Sequence, residues 1–168
     1  MFCIRQETES DQQLIRTINT EAFGTSSEAD LVDALRIKAS PLVSLVAELD
    51  STVVGHIMFS PVTLSGHPGI KIMGLAPMAV FPAHQRKGVG SLLVQAGIKA
   101  CADLGADGLV VLGHPEYYPK FGFVPSSRYG IGSEYEVPEE VFMAMELSPD
   151  SLLGKSGTIQ YHSAFSEL

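Results

Sequence analysis

The sequence has 168 residues, of which 45% are hydrophobic, which suits one domain with a full core and is too short for two. Its 11 basic and 19 acidic residues give a net charge of −8, which argues against nucleic acid as a partner, because phosphate backbones bind positive surfaces. The longest apolar run, residues 72–83, is far shorter than the roughly 18 residues that cross a bilayer, so we expect a single domain over residues 1–168 that is cytoplasmic and has no membrane partner.

The first part of the chain predicts a strand, two helices and a hairpin. Apolar residues recur at the helical spacing in two segments, and each segment is preceded by a Ser or Asp residue that can cap a helix. Two apolar runs joined by Asp50-Ser51 indicate the hairpin. The predicted elements are a strand over 1–7, a helix from 10 to 24, a helix from 26 or 27 to 41, and strands over 42–49 and 52–64.

The next predicted strand, residues 70–82, runs antiparallel to the one before it and contains Pro77. Proline has no N–H group to donate to a neighbouring strand, so it is confined to edges and bulges. In a central strand it predicts a bulge, which frees the backbone N–H groups of Met78 and Val80 to face a ligand.

A long amphipathic helix is predicted from Gly88 to Gly105, followed by a short strand over 109–112. A strand, a helix and a strand in succession form a crossover, so the two strands are expected to be parallel. Ligands bind such units at the C-terminal ends of the strands, where we expect a cleft.

The last third of the chain predicts two strands after a turn-rich region. Residues 142–147 and 158–165 are expected to form a terminal antiparallel pair. The sequence leaves the oligomeric state open, and a homodimer through these strands is one candidate.

The stretch from Gln85 to Gly90 opens the predicted long helix directly after an apolar strand. The first backbone N–H groups of a helix have no intrahelical partners, and the helix dipole favours negative charge at that end. Gly88 and Gly90 have no Cβ, so a bulky anion can approach the backbone closely, and Arg86 and Lys87 add positive charge. The stretch therefore predicts a phosphate-binding loop.

Two common phosphate-binding loops are excluded by missing residues. A Walker loop ends in Gly-Lys followed by Ser or Thr, and this loop has no such ending. A dinucleotide fingerprint needs a third glycine three residues after Gly90, where this chain has Leu93.

The Gln-x-x-Gly-x-Gly pattern instead resembles the acetyl-CoA loop of the GNAT superfamily of N-acetyltransferases. Two further motifs extend the resemblance: Val80-x-Pro82 before the loop, and Tyr-Tyr-Pro-Lys-Phe-Gly-Phe at 117–123 after it. The segments 123–131 and 161–165 look like the bacterial predicted-acetyltransferase branch. The resemblance implies a mixed α/β, GNAT-like acyl-CoA N-acyltransferase fold, with a central, mostly antiparallel sheet, one parallel βαβ crossover and helices on both faces.

The resemblance also implies an enzyme that transfers the acetyl group of acetyl-CoA directly to a primary amine, without a metal ion. Tyr118, four residues before Gly122, stands where the family resemblance places the tyrosine that gives its proton to the coenzyme A thiolate. Its neighbour Tyr117 is interpreted as aromatic packing. An alternative with the same phosphate-binding features is a catalytically silent acyl-CoA-binding sensor or interaction module. The residues expected to bind the cofactor, mainly through their backbone, are Met78, Ala79, Val80, Gln85, Arg86, Lys87, Gly88, Val89, Gly90 and Ser91.

The expected acceptor is a small-molecule or peptide amine, and the sequence does not rank the candidates. Glu21 and Phe23, beside the loop between the first two helices, are the expected substrate contacts, with a solvated helix end as the alternative. No general base is singled out among Glu21, Glu48 and Glu116, and His114 is a further candidate.

Overall fold

The computed structural model describes residues 1–167, which form three α-helices and nine β-strands. The predicted helices and hairpin are confirmed, with ends within a few residues of those expected. None of the helices in this range is long and apolar enough to span a membrane. In chain order the elements are β1 (Phe2–Gln6), α1 (Gln12–Phe23), α2 (Ser27–Lys38), β2 (Val43–Leu49), β3 (Thr52–Leu64), β4 (Ile72–Val80), α3 (Val89–Asp103), β5 (Gly108–Leu112), β6 (Val124–Pro125), β7 (Ile131–Ser133), β8 (Phe142–Glu146) and β9 (Gly157–Gln160).

Seven strands make up the main sheet, in the order β1-β2-β3-β4-β5-β8-β6. Neighbours in this sheet are antiparallel except β4 and β5, which run parallel from the pair Ile72–Gly108 to the pair Leu75–Val111. The helix α3 makes the crossover between them. The predicted mostly antiparallel sheet with one parallel crossover is therefore confirmed. A short parallel pair, β7 and β9, attaches to the end of β3.

Helices cover both faces of the sheet, as predicted, so each face has its own core. On one face α3 packs against β2 and β3, and Gly97 of the helix lies on the ring of Phe59. A Cβ on Gly97 would be only 2.2 Å from that ring, so the missing side chain allows α3 to lie close to the sheet. On the other face α1 and α2 bury Ile15, Ile18 and Leu35.

The expected pairing of the two terminal strands with each other is wrong. β8 hydrogen-bonds along the whole of β5, whereas β9 pairs with Thr63 and Leu64, the end of β3 that extends beyond its pairing with β4. Residues 163–167 form a 3-10 helix instead of continuing the strand. The edge of β5 that faces away from β4, and the end of β3 that extends beyond β4, both present backbone N–H and C=O groups that need hydrogen-bond partners. The two terminal strands therefore pair with different strands.

Candidate active site

The main sheet opens between its two parallel strands. β4 and β5 pair as far as Leu75 and Val111, and β4 then continues without β5 as its neighbour. At the same point, one residue of β3, Met58, faces two residues of β4, Ala76 and Pro77, because the register shifts between Ile57 and Phe59. The predicted bulge at Pro77 is thus confirmed, and it lies where the strands separate.

The bulge leaves backbone donors of β4 facing the opening. The N–H of Phe81 donates to the carbonyl oxygen of Val54 on β3 at 2.9 Å. Because donors alternate between the two edges of a strand, the N–H groups of Val80 and Met78 point to the opposite edge, where β5 no longer pairs. These are the two N–H groups that the sequence predicts to be free.

The start of α3 carries a second set of free donors. Arg86 and Gly88 both have positive φ, 65° and 83°, and the bond from Leu92 N–H to the Gly88 carbonyl, 3.1 Å, is the first of the helix. Within the described part of the chain, the six backbone N–H groups of residues 86–91 donate to no backbone carbonyl. The positive end of the helix dipole lies at the same place, so this corner is arranged to bind an anion.

A cavity of about 350 Å³ lies between the end of β4, the start of α3 and the segment after β5. None of its lining residues is acidic, and no ion pair among the described side chains involves Arg86, Lys87 or Lys120. In a chain of net charge −8, the unpaired Arg86 and Lys120 in its lining make the cavity locally positive. The lining residues are Val80, His84, Gln85, Arg86, Gly88, Val89, Gly90, Ser91, Tyr117 and Lys120.

A larger cavity, of about 550 Å³, lies near the other end of α3 beside Glu7 and Arg36. Arg36 is already paired there, at 2.9 Å with Glu7 and 2.9 Å with Asp33. Since no described residue in its lining carries an unpaired positive charge, the start of α3 is the better candidate for an anion-binding site.

The two loop glycines differ in what surrounds them. A Cβ on Gly88 would have no atom within 4 Å, so the space beside it is open. A Cβ on Gly90 would lie 3.2 Å from the hydroxyl oxygen of Tyr117 and 3.6 Å from Cε of Met78. The missing side chain of Gly88 therefore leaves space for a ligand. The missing side chain of Gly90 leaves space for both a ligand and the Tyr117 hydroxyl.

The other residues predicted to bind a cofactor divide into backbone and side-chain contributors. The side chains of Ala79 and Val89 are buried in the two cores, so only their backbones can contact a ligand. Lys87 is exposed and lies outside the lining of the cavity. Gln85 donates from Nε2 to the carbonyl oxygen of Val80 at 3.0 Å, which ties the loop to β4.

Tyr118 is almost fully buried, with 7% of its surface exposed, in the core beneath α3. Its ring packs edge-on against Tyr117 and Phe123, with centroids 5.1 Å and 5.7 Å away. Burial, with a smaller contribution from the Tyr117 phenol, raises the pKa of Tyr118 to about 12. Its hydroxyl has no hydrogen-bond partner within residues 1–167, and the raised pKa means that it keeps its proton at neutral pH. Tyr118 itself is not among the residues that line the cavity, although its neighbour Tyr117 is.

The sequence interpretation missed Tyr117, whose polar end belongs to the cavity. Its hydroxyl lies 3.1 Å from Oγ of Ser91 in the first turn of α3, and Nζ of Lys120 lies 4.1 Å from the centre of its ring. The available signal in the sequence was that a tyrosine, Tyr117, and a lysine, Lys120, both lie in the short segment after β5. Pattern alone does not show which way adjacent aromatic side chains point.

The predicted acceptor contacts and bases are not brought to this cavity. Glu21 and Phe23 are exposed at the end of α1, on the opposite face of the sheet. Glu48 is held by Arg5 at 2.7 Å, and Glu116 is exposed. No group of three His, Cys, Asp or Glu residues within the described range could hold a metal ion.

Two features, the separation of the parallel strands β4 and β5 and the free N–H groups at the start of α3, are typical of one class of α/β domain. Domains of this class hold a nucleotide-linked ligand in an opening of the sheet. Residues 11–123 match the acetyltransferase (GNAT) family, and the chain belongs to that family.

Relatives support this assignment along nearly the whole chain. The chain is 42% identical over 143 residues to the uncharacterized N-acetyltransferase YjhQ of Escherichia coli (strain K12). This match covers 83% of this chain and 79% of that protein. The crystal structure of the GNAT family N-acetyltransferase YhbS from Escherichia coli, in complex with CoA, has a TM-score of 0.91 and 30% identity, covering 98% of this chain and 92% of that one. A GNAT family acetyltransferase from Brucella melitensis, in complex with acetyl-CoA, has a TM-score of 0.81 and 35% identity over 98% of both chains.

Proposed function

We propose that this protein is an N-acetyltransferase that transfers the acetyl group of acetyl-CoA directly to a primary amine of a small-molecule or peptide acceptor. The observation that carries the proposal is the row of free backbone N–H groups at residues 86–91, all but one of which belong to residues that line a cavity without carboxylates beside a sheet opening. Membership of the GNAT family and the CoA and acetyl-CoA bound to the two similar structures support it.

The residues present fit a CoA thioester. The phosphate groups are assigned to the N–H groups of residues 86–91 and to the Arg86 side chain, because Gly88 leaves the approach open. The thioester carbonyl oxygen is assigned to the N–H of Val80 or Met78 at the bulge, where a backbone donor can stabilise developing negative charge. When bound, acetyl-CoA supplies an acetyl group already activated as a thioester.

Tyr118 is assigned as the general acid. As the amine nitrogen bonds to the carbonyl carbon, the carbon–sulfur bond breaks and the departing thiolate takes the proton of Tyr118. The amine gives up one proton to solvent, and the Tyr118 phenolate regains one from solvent. The pKa of Tyr118 is about 12, whereas that of an alkyl thiol is roughly 8.5, so complete transfer from the phenol alone costs about 5 kcal/mol. Tyr118 therefore acts within a step in which the thiolate is hydrogen-bonded as it forms, not by ionising first.

The acceptor contacts stay a prediction. Glu21 and Phe23 are solvent-exposed near the loop between α1 and α2, and they would contact only an acceptor that approaches from that face of the sheet. The acceptor class is to be found by experiment, with amines of different size and charge.

The proposal is tested by measuring thiol release from acetyl-CoA against a broad panel of amines, with the wild-type protein and Tyr118→Phe. We expect at least one amine to support release, and the variant to lose turnover by roughly ten- to a thousandfold at nearly unchanged acetyl-CoA affinity. Binding of acetyl-CoA by calorimetry without release for any amine would favour the silent binding module. Unchanged turnover of the variant would remove Tyr118 from the mechanism.

A further inference from the structure

We infer that Tyr117 and Lys120, which line the phosphate-binding cavity together with the loop of residues 85–91, bind a phosphate group of the ligand directly. The inference rests on the proposed function in taking that ligand to be a CoA thioester. Both residues come from the short segment after β5 that also carries Tyr118.

Tyr117 contributes a hydroxyl at the position where the anion is expected. Its oxygen is 3.1 Å from Oγ of Ser91, whose own backbone N–H is one of the free donors of α3. The two hydroxyl groups have two protons between them, and their mutual hydrogen bond uses one. The other proton remains to be donated to an anionic oxygen in the cavity.

Lys120 contributes a positive charge that nothing else in the described range neutralises. Its ammonium lies over the ring of Tyr117, at 4.1 Å from the centroid, and 5.3 Å from the centroid of Phe121. Such contacts with aromatic faces hold a cation in place without cancelling its charge. Arg86 lines the same cavity from the loop, so two segments of the chain each contribute a cation to it.

The arrangement separates the roles of two adjacent tyrosines. Tyr118 lies in the core with its hydroxyl unpartnered, whereas the hydroxyl of Tyr117 is bonded at the start of α3. Tyr117 thus acts in binding and Tyr118 in proton transfer. Loss of the Tyr117 hydroxyl is expected to raise the KM for acetyl-CoA by a larger factor than it lowers the turnover at saturation, whereas loss of the Tyr118 hydroxyl is expected to act mainly on turnover.

Calorimetry with CoA tests the inference, using Tyr117→Phe and Lys120→Met, with Lys155→Met as a control that removes an exposed lysine elsewhere. We expect the affinity for CoA to fall roughly tenfold for Tyr117→Phe and three- to tenfold for Lys120→Met, and to stay unchanged for the control. Lys120→Met is also expected to weaken the dependence of affinity on salt, and Lys120→Arg to restore it. Thermal unfolding of each variant shows whether the fold persists.

The same titrations with 3′-dephospho-CoA identify the phosphate that is bound. A loss for Lys120→Met that is confined to CoA assigns Lys120 to the 3′-phosphate, and an equal loss for both ligands assigns it to the diphosphate. Folded Tyr117→Phe and Lys120→Met variants that bind CoA within twofold of wild type would overturn the inference. Wild-type protein that binds CoA but acetylates no amine would contradict the proposed function alone, because these binding measurements need no turnover.

Discussion

The ring of Tyr118 occupies the space that a side chain on Gly113 would need. An ideal Cβ on Gly113 would lie 2.3 Å from Cε2 and 2.8 Å from Cδ2 of that ring, distances that no real contact tolerates. Gly113 directly follows β5, so the end of this strand sets the position of the proposed general acid.

Replacing Gly113 by alanine is therefore expected to displace Tyr118. We predict that Gly113→Ala lowers turnover by at least roughly tenfold and destabilises the fold by about 1–3 kcal/mol, because the ring must leave its present place. Steady-state kinetics and urea unfolding measure the two effects. Gly69→Ala is the matched control, since a Cβ there meets no atom within 4 Å. Wild-type turnover in Gly113→Ala would show that the position of Tyr118 is unimportant for the reaction.

A branched side chain at Gly90 is expected to close the phosphate-binding cavity. Its Cβ would lie 3.2 Å from the Tyr117 hydroxyl, and the two methyl groups of valine extend beyond it. We predict that Gly90→Val reduces the affinity for acetyl-CoA by at least roughly a hundredfold while the protein still folds, as calorimetry and thermal unfolding would show. Gly132→Val, at an open position in β7, serves as control. Unchanged affinity in Gly90→Val would place the phosphates elsewhere.

The pH dependence of turnover tests the environment of Tyr118. Burial raises the pKa of this phenol to about 12, so it stays protonated well above pH 10, where a free tyrosine ionises. The raised pKa also means that Tyr118 adds to the free energy of unfolding. This contribution is fully present below about pH 10 and is lost as the pH rises toward 12. We predict no loss of turnover from this group between pH 8 and roughly 10.5. A falling limb centred below pH 10 in the wild type that is missing in Tyr118→Phe would contradict this prediction.

Much of the site could be predicted from the sequence because its signals are local. The loop glycines, Pro77 and the spacing of Tyr118 each constrain the backbone within a few residues. What could not be predicted depends on contacts between distant parts of the chain. The pairing of β8 with β5 depends on which strand edges remain unpaired once the rest of the sheet has formed. The direction of the Tyr117 side chain depends on the position of Ser91, to which its hydroxyl is hydrogen-bonded.

We expect a buried histidine away from the site to make the fold sensitive to acid. His56 is fully buried on β3, with Nε2 2.9 Å from Oγ of Ser44 and Nδ1 3.4 Å from Nδ2 of Asn19. Burial, together with the nearby Arg36, lowers the pKa of His56 to about 3, whereas an unfolded histidine titrates near 6.5. The unfolded chain therefore binds the proton first as the pH falls below 6.5.

We predict that the free energy of unfolding decreases on acidification through this window, by up to roughly 1.4 kcal/mol per pH unit from His56 alone. Urea unfolding of the wild type and His56→Gln between pH 7 and pH 4.5 isolates this contribution, because the variant cannot titrate there. The variant is expected to be less stable at pH 7 but to have a smaller pH slope. Parallel slopes for the two proteins would show that His56 takes up its proton in the folded state.

The central claim is that a CoA thioester binds through its phosphates to the free N–H groups at the start of α3. A crystal structure of the protein with CoA tests it most directly. We predict phosphate oxygens within hydrogen-bond distance of the backbone nitrogens of Gly88 and Gly90, and the pantetheine chain passing toward Val80 in the opening between β4 and β5. A structure in which CoA is bound elsewhere, with this cavity empty or closed, would contradict the account.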